Sequence, residues 1–196
     1  MSDVIERTAK MFAVNTAGHQ LTILHDDGLY RHVRFGRPDT GLYRYELVTW
    51  PGHLAVGGDI DSYTFARVDD MFTFFRGQRI NPSYWAEKVQ DGRERTREYS
   101  ESMFKVRVMD ELKHMPVPNL TDELREARAE LLERMADGDA HHPEGARELL
   151  NDAERAGLFS DTWEWSLQDW DYHFVYCLHA IVATIKAYDA AKVVAQ

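Results

Sequence analysis

The chain has 196 residues, and its 44% hydrophobic and 29% charged content is that of a globular protein with a substantial core, which excludes a disordered polyelectrolyte. A single cysteine, Cys177, excludes an internal disulfide and a cysteine-built zinc module, and no uninterrupted apolar run reaches the roughly 18 residues that span a bilayer. The formal net charge of −10 is carried entirely by residues 114–171, which hold 15 Asp or Glu against 5 Lys or Arg.

The N-terminus, MSDVIERTAK, is acidic and lacks an apolar signal core. Together with the lone cysteine this fits a reducing cytoplasm. The first third then reads as a β-meander. HQLTILH and LYRHVRF flank Asp27-Gly28, a strong hairpin-turn dipeptide, with Leu29, Val33 and Phe35 on one face of the second strand. LYRYELVTW alternates next, with Tyr43, Tyr45 and Leu47 facing one way and Arg44 and Glu46 the other. Trp50-Pro51-Gly52 makes a turn, and HLAVGG and SYTFAR complete an antiparallel sheet of four to five strands.

From Val68 the period becomes helical. Val68, Met71, Phe72 and Phe75 form a stripe that Gly77 stops, and Asn81-Pro82 reads as N-cap and first helical residue of a helix through Val89. A charged helix is expected from about Glu94 to Lys113 with Tyr99, Met103 and Val106 inward. Pro116 to Asn119 is the candidate hinge. Beyond it come stripes at Leu120, Leu124, Ala127, Leu131 and Met135, and at Ala146, Leu149, Leu150 and Ala153. Ser166 and Asp169 suggest a capping box for a last helix built on Phe174, Leu178, Ile181, Ile185 and Tyr188. Strands before helices give an α+β fold: an N-terminal antiparallel sheet with five to six helices packed on it. It is read as one domain over 1–196, with a sheet region at 1–67, connecting helices at 68–115 and an acidic helical region at 116–196.

The densest stretch is Thr49 to Lys88, TWPGHLAVGGDIDSYTFARVDDMFTFFRGQRINPSYWAEK. Its TWPGHL turn, the following GD, the F-x-R-x-x-DMF-x-FFR run and the INP-x-YW-x-EK box resemble a pattern of uncharacterised phage, prophage and mobile-element proteins. A weaker echo lies in YCLHAIVATIKAYD. The resemblance covers roughly the first half of the chain and implies an origin, but no reaction.

Within that stretch His53, Asp59 and Arg67, with Asp69 or Asp70, form a candidate catalytic set. Histidine titrates near neutrality, a carboxylate can orient it, and an arginine can hold an anion. The competing reading is architectural: His53 caps a fixed turn, Asp59 closes the next, and Trp50 and Trp85 anchor the core rather than a ligand. Asp169, His173 and Cys177 share one stripe and are metal-ligand types, yet Cys177 reads as a core residue, so no metal and no cofactor is expected. Arg31, Arg34, Arg37 and Arg44 interleave with Tyr30, Phe35, Tyr43 and Tyr45, as single-stranded nucleic acid would require. Arginines on the wet face of a sheet are the favoured alternative.

Three functions follow. The leading one is a phage or mobile-element accessory protein, not an enzyme, that binds a protein partner through an acidic helical face at Glu123, Glu126 and Glu130 docked on a basic surface. Trp50 and Trp85 are the aromatic candidates for the same binding role. The second is a small enzyme using His53, Asp59 and Arg67 on a phosphorylated or nucleotide-like substrate. The third is an assembly protein in which the aromatic block supplies a homo-oligomer interface.

Overall fold

The computed structural model describes residues 3–77, 79–115 and 121–194. Helix α1 (Asp3–Asn15) precedes a meander of β1 (Gln20–Asp27), β2 (Tyr30–Gly36), β3 (Tyr45–Trp50), β4 (His53–Gly58) and β5 (Tyr63–Ala66). The short helices α2 (Met71–Phe75) and α3 (Pro82–Ala86) follow. Strand β6 (Arg97–Tyr99) leads into α4 (Glu101–His114), α5 (Asp122–Asp137) and α6 (Pro143–Arg155). Strand β7 (Gln168–Trp170) then leads into α7 (Tyr172–Val194). The fold is α+β.

The chain forms two compact units, one of Met1–Arg97 with Trp170–Gln196 and the other of Glu98–Asp169, which is thus inserted into the first. These boundaries differ from the region limits read along the sequence. The segment 170–196 returns to the sheet unit, a long-range closure that no local composition marks. The hinge expected at Pro116 to Asn119, and the stripe position Leu120, lie outside the described residues.

The sheet unit is built on five strands in the order β1-β2-β3-β4-β5, every pair antiparallel. The first two-residue loop is Gly28-Leu29, because Asp27 pairs with Tyr30. The turn therefore sits one residue later than Asp27-Gly28, and Leu29 is outside the strand. In β3, Tyr45, Leu47 and Thr49 are buried while Val48 and Trp50 are exposed, so the alternation of a half-buried strand holds. The buried sheet face carries Val33, Tyr45, Leu47, Leu54, Val56, Tyr63 and Phe65. Against it lie α7, with Phe174, Leu178, Ile181, Ile185 and Tyr188 all buried, and α2, with Met71, Phe72 and Phe75.

Helix α1 was not expected from the sequence; it packs on α7 and buries only Thr8 and Phe12. Asp171, not the Ser166–Asp169 box, caps α7: its Oδ1 accepts the Phe174 N–H at 2.7 Å. Asn81 caps α3 as expected, accepting the Tyr84 N–H at 3.2 Å, but the helix ends at Ala86.

In length and composition α7 could cross a membrane, but 56% of the qualifying window is buried inside the protein, which makes it the core helix of this unit.

The inserted unit packs α4, α5 and α6 around Phe104, Val108, Leu112, Leu131, Met135, Ala146, Leu149, Leu150 and Ala153. Helix α4 starts at Ser100, whose hydroxyl accepts the Met103 N–H, rather than at Glu94; residues 97–99 are strand. Its inward face is Phe104, Val108 and Leu112, whereas Met103 is 37% and Val106 63% exposed. Of the expected stripe, Met103 and Val106 are out of phase with the real face, whereas Tyr99 packs against the core from β6.

Candidate functional site

The Trp50 to His53 hairpin turns on Pro51 and Gly52. Proline presets a negative φ and Gly52 takes φ +81°, the pairing a type II turn needs. Trp50 and His53 are directly opposed across the turn, and their rings stack 5.0 Å apart at an interplanar angle of 9°. His53 Nδ1 lies 3.1 Å from the Pro51 carbonyl. Trp50 is therefore not the core anchor expected of it. With Tyr45, Leu47 and Thr49 inward, the two-residue period sends Trp50 to the outer face. Trp85, by contrast, is 1% exposed and edge-to-face with Phe75 at 4.8 Å, so it offers no surface for a ligand to stack on.

Of the candidate catalytic set, His53 and Arg67 come near each other. His53 pairs with Ala66, and the Arg67 N–H reaches the Gly52 carbonyl at 3.3 Å. Asp59 does not join them. It follows the last residue of β4 while His53 is the first, and six residues at about 3.3 Å each separate them by about 20 Å. Asp59 instead accepts the Tyr43 N–H at 2.8 Å, and its own N–H donates to the Arg44 carbonyl at 2.8 Å. It holds Tyr43 at φ +54° and closes the turn into β3. Gly58 beside it adopts φ +137°, and a Cβ there would lie 2.5 Å from the Arg44 carbonyl oxygen. The Gly57-Gly58-Asp59 motif is a close backbone approach, not a phosphate cradle.

Asp70 is likewise occupied. Both its oxygens take Arg31, at 2.8 and 3.2 Å, and Oδ1 also accepts the Phe72 N–H that starts α2. Burial pushes its carboxyl up, and the Arg31 hydrogen bonds and charge more than offset that, holding it below the ordinary value of 3.8. Arg31 sits 4.8 Å over Phe72 with its side chain 11% exposed, so it belongs to the core face rather than to a nucleic-acid surface.

A grouping that the sequence reading passed over is His32, Arg34 and Glu46 on the outer sheet face. Glu46 hydrogen-bonds His32 Nε2 and accepts Arg34 Nε at 2.7 Å. The signal was available: Arg34 pairs in register with Glu46, and His32 is two residues along the same face. A carboxylate that orients an imidazole is half of a general base. The arginine, however, pairs with the same carboxylate.

Among the described residues no group of three or more His, Cys, Asp or Glu is arranged to hold a metal ion. Of the Asp169, His173 and Cys177 stripe, Asp169 precedes α7 in β7, and His173 Nδ1 is 3.0 Å from the Ile60 carbonyl. Cys177 is fully buried, and burial pushes its thiol far above the ordinary value.

The inserted unit holds 18 Asp or Glu against 8 Lys or Arg, and thus all of the net −10; the sheet unit is neutral. On α5, Glu123, Glu126, Glu130, Glu133 and Asp137 follow at spacings of three and four, within an arc of about 80° at 100° per residue. All five are exposed, on the side away from buried Leu131 and Met135. Arg125 pairs with Asp122, Arg134 with Asp139 and Asp152, and Arg155 with Asp152, while Arg128 makes no ion pair among the described residues and lies outside the acidic arc of α5. None of the five acids forms an ion pair among the described residues. The Glu123 carboxyl is pulled down by its own backbone N–H and by the Thr121 hydroxyl, which fixes it at the helix start. Glu133 and Asp137 extend the face beyond Glu123, Glu126 and Glu130. No protein-family model, curated protein or solved structure matches this chain.

Proposed function

We propose that this is a non-enzymatic accessory protein of a phage or mobile element that docks its acidic helical unit on a cationic surface of a macromolecular partner. The observation that carries the reading is the α5 stripe: five exposed carboxylates on one helix face with no cation set against them. Successive like charges at these spacings repel one another along an isolated helix. A row of lysines or arginines on a partner relieves that repulsion. Over fourteen residue steps the stripe spans about 21 Å, one charge per roughly 5 Å, against 3.4 Å along one DNA strand. That density suits a surface that otherwise binds nucleic acid. The resemblance of the first half to phage and mobile-element proteins supplies the biological setting. The separation of His53 from Asp59 removes the support for an enzyme at that set.

Calorimetric titration with a 20-residue polylysine tests the reading. Binding is expected at low salt and is lost as ionic strength rises, because exposed charges are screened beyond about 10 Å at 0.1 M. Reversal of Glu123, Glu126 and Glu130 to Lys is expected to abolish it with the fold intact. Undiminished binding in the triple variant would reject the proposal.

A further inference from the structure

Between α6 and β7 the inserted unit presents one large aromatic side chain almost bare: Trp163 is 71% exposed. Its neighbours are fixed. Asp161 takes φ +54°, a left-handed conformation rare for a residue with a side chain. Glu154 on α6 holds that conformation: its Oε1 accepts the Asp161 N–H at 3.0 Å, and its Oε2 accepts the Thr162 hydroxyl at 2.6 Å. The Thr162 hydroxyl, and with it the two backbone N–H groups, draws the Glu154 carboxyl below the ordinary value. From the same helix Arg147 donates to the Thr162 carbonyl at 2.8 Å, and Thr162 is 1% exposed. On the other side Trp165 packs its ring 5.1 Å from Phe159 and donates its N–H back to the Thr162 carbonyl at 3.1 Å. Strain, two α6 side chains and a ring pair thus hold the backbone that points Trp163 outward.

We infer that Trp163 is an apolar docking anchor of the acidic unit, inserting into a hydrophobic pocket on the partner whose rim is lysine or arginine. The inference rests on the binding reading above and deepens it. An indole on a fixed backbone is a side chain that interfaces use as a hot spot, because it brings a large apolar area with only two side-chain torsions to lose on burial. Exposed Asp161 and Glu164 flank it, in the unit that holds the whole net charge of −10. Charge therefore selects the occupant. A second copy would bring two such units together, and nucleic acid or an anionic membrane surface would face the same repulsion. A cationic rim around an apolar pocket fits both features. Exposed Val106 and Met109 on α4 lack this bracing and serve as the internal comparison.

Two peptides of equal length and equal number of lysines separate the contributions: one with serine, and one with leucine, at the remaining positions of an amphipathic lysine pattern. Wild-type protein is expected to bind the leucine–lysine peptide at least about tenfold more tightly, within the range over which one hot-spot side chain acts. Trp163→Ala should erase that preference while affinity for the lysine–serine peptide stays within about twofold, since an exposed substitution leaves the fold and the charge in place. Val106→Ala should leave the preference intact. Retention of the preference by Trp163→Ala, or its absence in the wild type, overturns the anchor and leaves electrostatic docking standing. Failure of wild-type protein to bind either peptide overturns both.

Discussion

Gly57 and Gly58 are adjacent in β4, and the structure expects opposite results from the same substitution at each. Gly58→Ala asks an alanine to adopt φ +137° and places its Cβ 2.5 Å from the Arg44 carbonyl oxygen and 2.8 Å from the Tyr45 Cα. Both neighbours are backbone, so neither can swing aside. The dihedral costs about 1–3 kcal/mol and the overpacking about 1–3 kcal/mol, for a loss of roughly 2–6 kcal/mol. Gly57→Ala meets the Ser62 Cβ at 3.5 Å and the Asp61 carbonyl oxygen at 4.0 Å, both ordinary contacts, at a φ open to any residue. It should be neutral or stabilise by about 0.4–1 kcal/mol through the unfolded chain. Urea unfolding with amide exchange read at β3 and β4 isolates the sheet unit from the inserted one. Equal effects at the two glycines, or a fully stable Gly58→Ala, would refute the reading of this motif as a close backbone approach.

Trp85→Ala should destabilise the sheet unit by about 3–5 kcal/mol, whereas Trp50→Ala should cost about 0.5–1.5 kcal/mol, the worth of its stack on His53. Thermal melts of the two variants check the order. Asp70→Asn keeps a capping acceptor but strips Arg31 of its counter-charge, for a loss of about 1.5–3 kcal/mol at neutral pH. Because the Asp70 carboxyl is depressed in the folded protein, that contribution is complete above the unfolded value and fades as pH falls through the lower folded one. The gap in melting temperature between wild type and Asp70→Asn should therefore narrow below about pH 4. A gap that widened with acid would contradict the ion pair.

Much of the architecture was legible because local chemistry and tertiary packing agree. The stripes Ala146, Leu149, Leu150, Ala153 and Phe174, Leu178, Ile181, Ile185, Tyr188 are buried as the helical period requires, and Asn81-Pro82 caps a helix. Where two periods competed, the weaker lost. In α4 apolar residues stand at both Met103, Val106 and Phe104, Val108, Leu112, and packing selected the second set. Helix α1 buries two residues four apart, too small a stripe to stand out beside a strong β pattern. Trp50 was legible and misjudged, since alternation from Leu47 already places it outside. The candidate set at His53, Asp59 and Arg67 failed for a metric reason. Six residues of separation look close in sequence, but in an extended strand they are a long distance. The exposure of Trp163 could not be read at all, since it depends on Glu154 and Arg147 bracing a loop from a neighbouring helix.

The central claim is that a particular face, and not net charge alone, binds the partner. Two charge-matched variants decide it: Glu126→Lys with Glu130→Lys on the α5 stripe, and Glu144→Lys with Glu148→Lys on α6. Each pair is exposed, each sits four residues apart, and each changes the net charge equally. Titration of the amphipathic leucine–lysine helix at about 0.1 M salt, where the screening length is about 10 Å, should show affinity lost in the α5 variant and largely kept in the α6 variant. Equal losses would mean that the protein acts only as a diffuse polyanion, and the account of a docking face would be wrong.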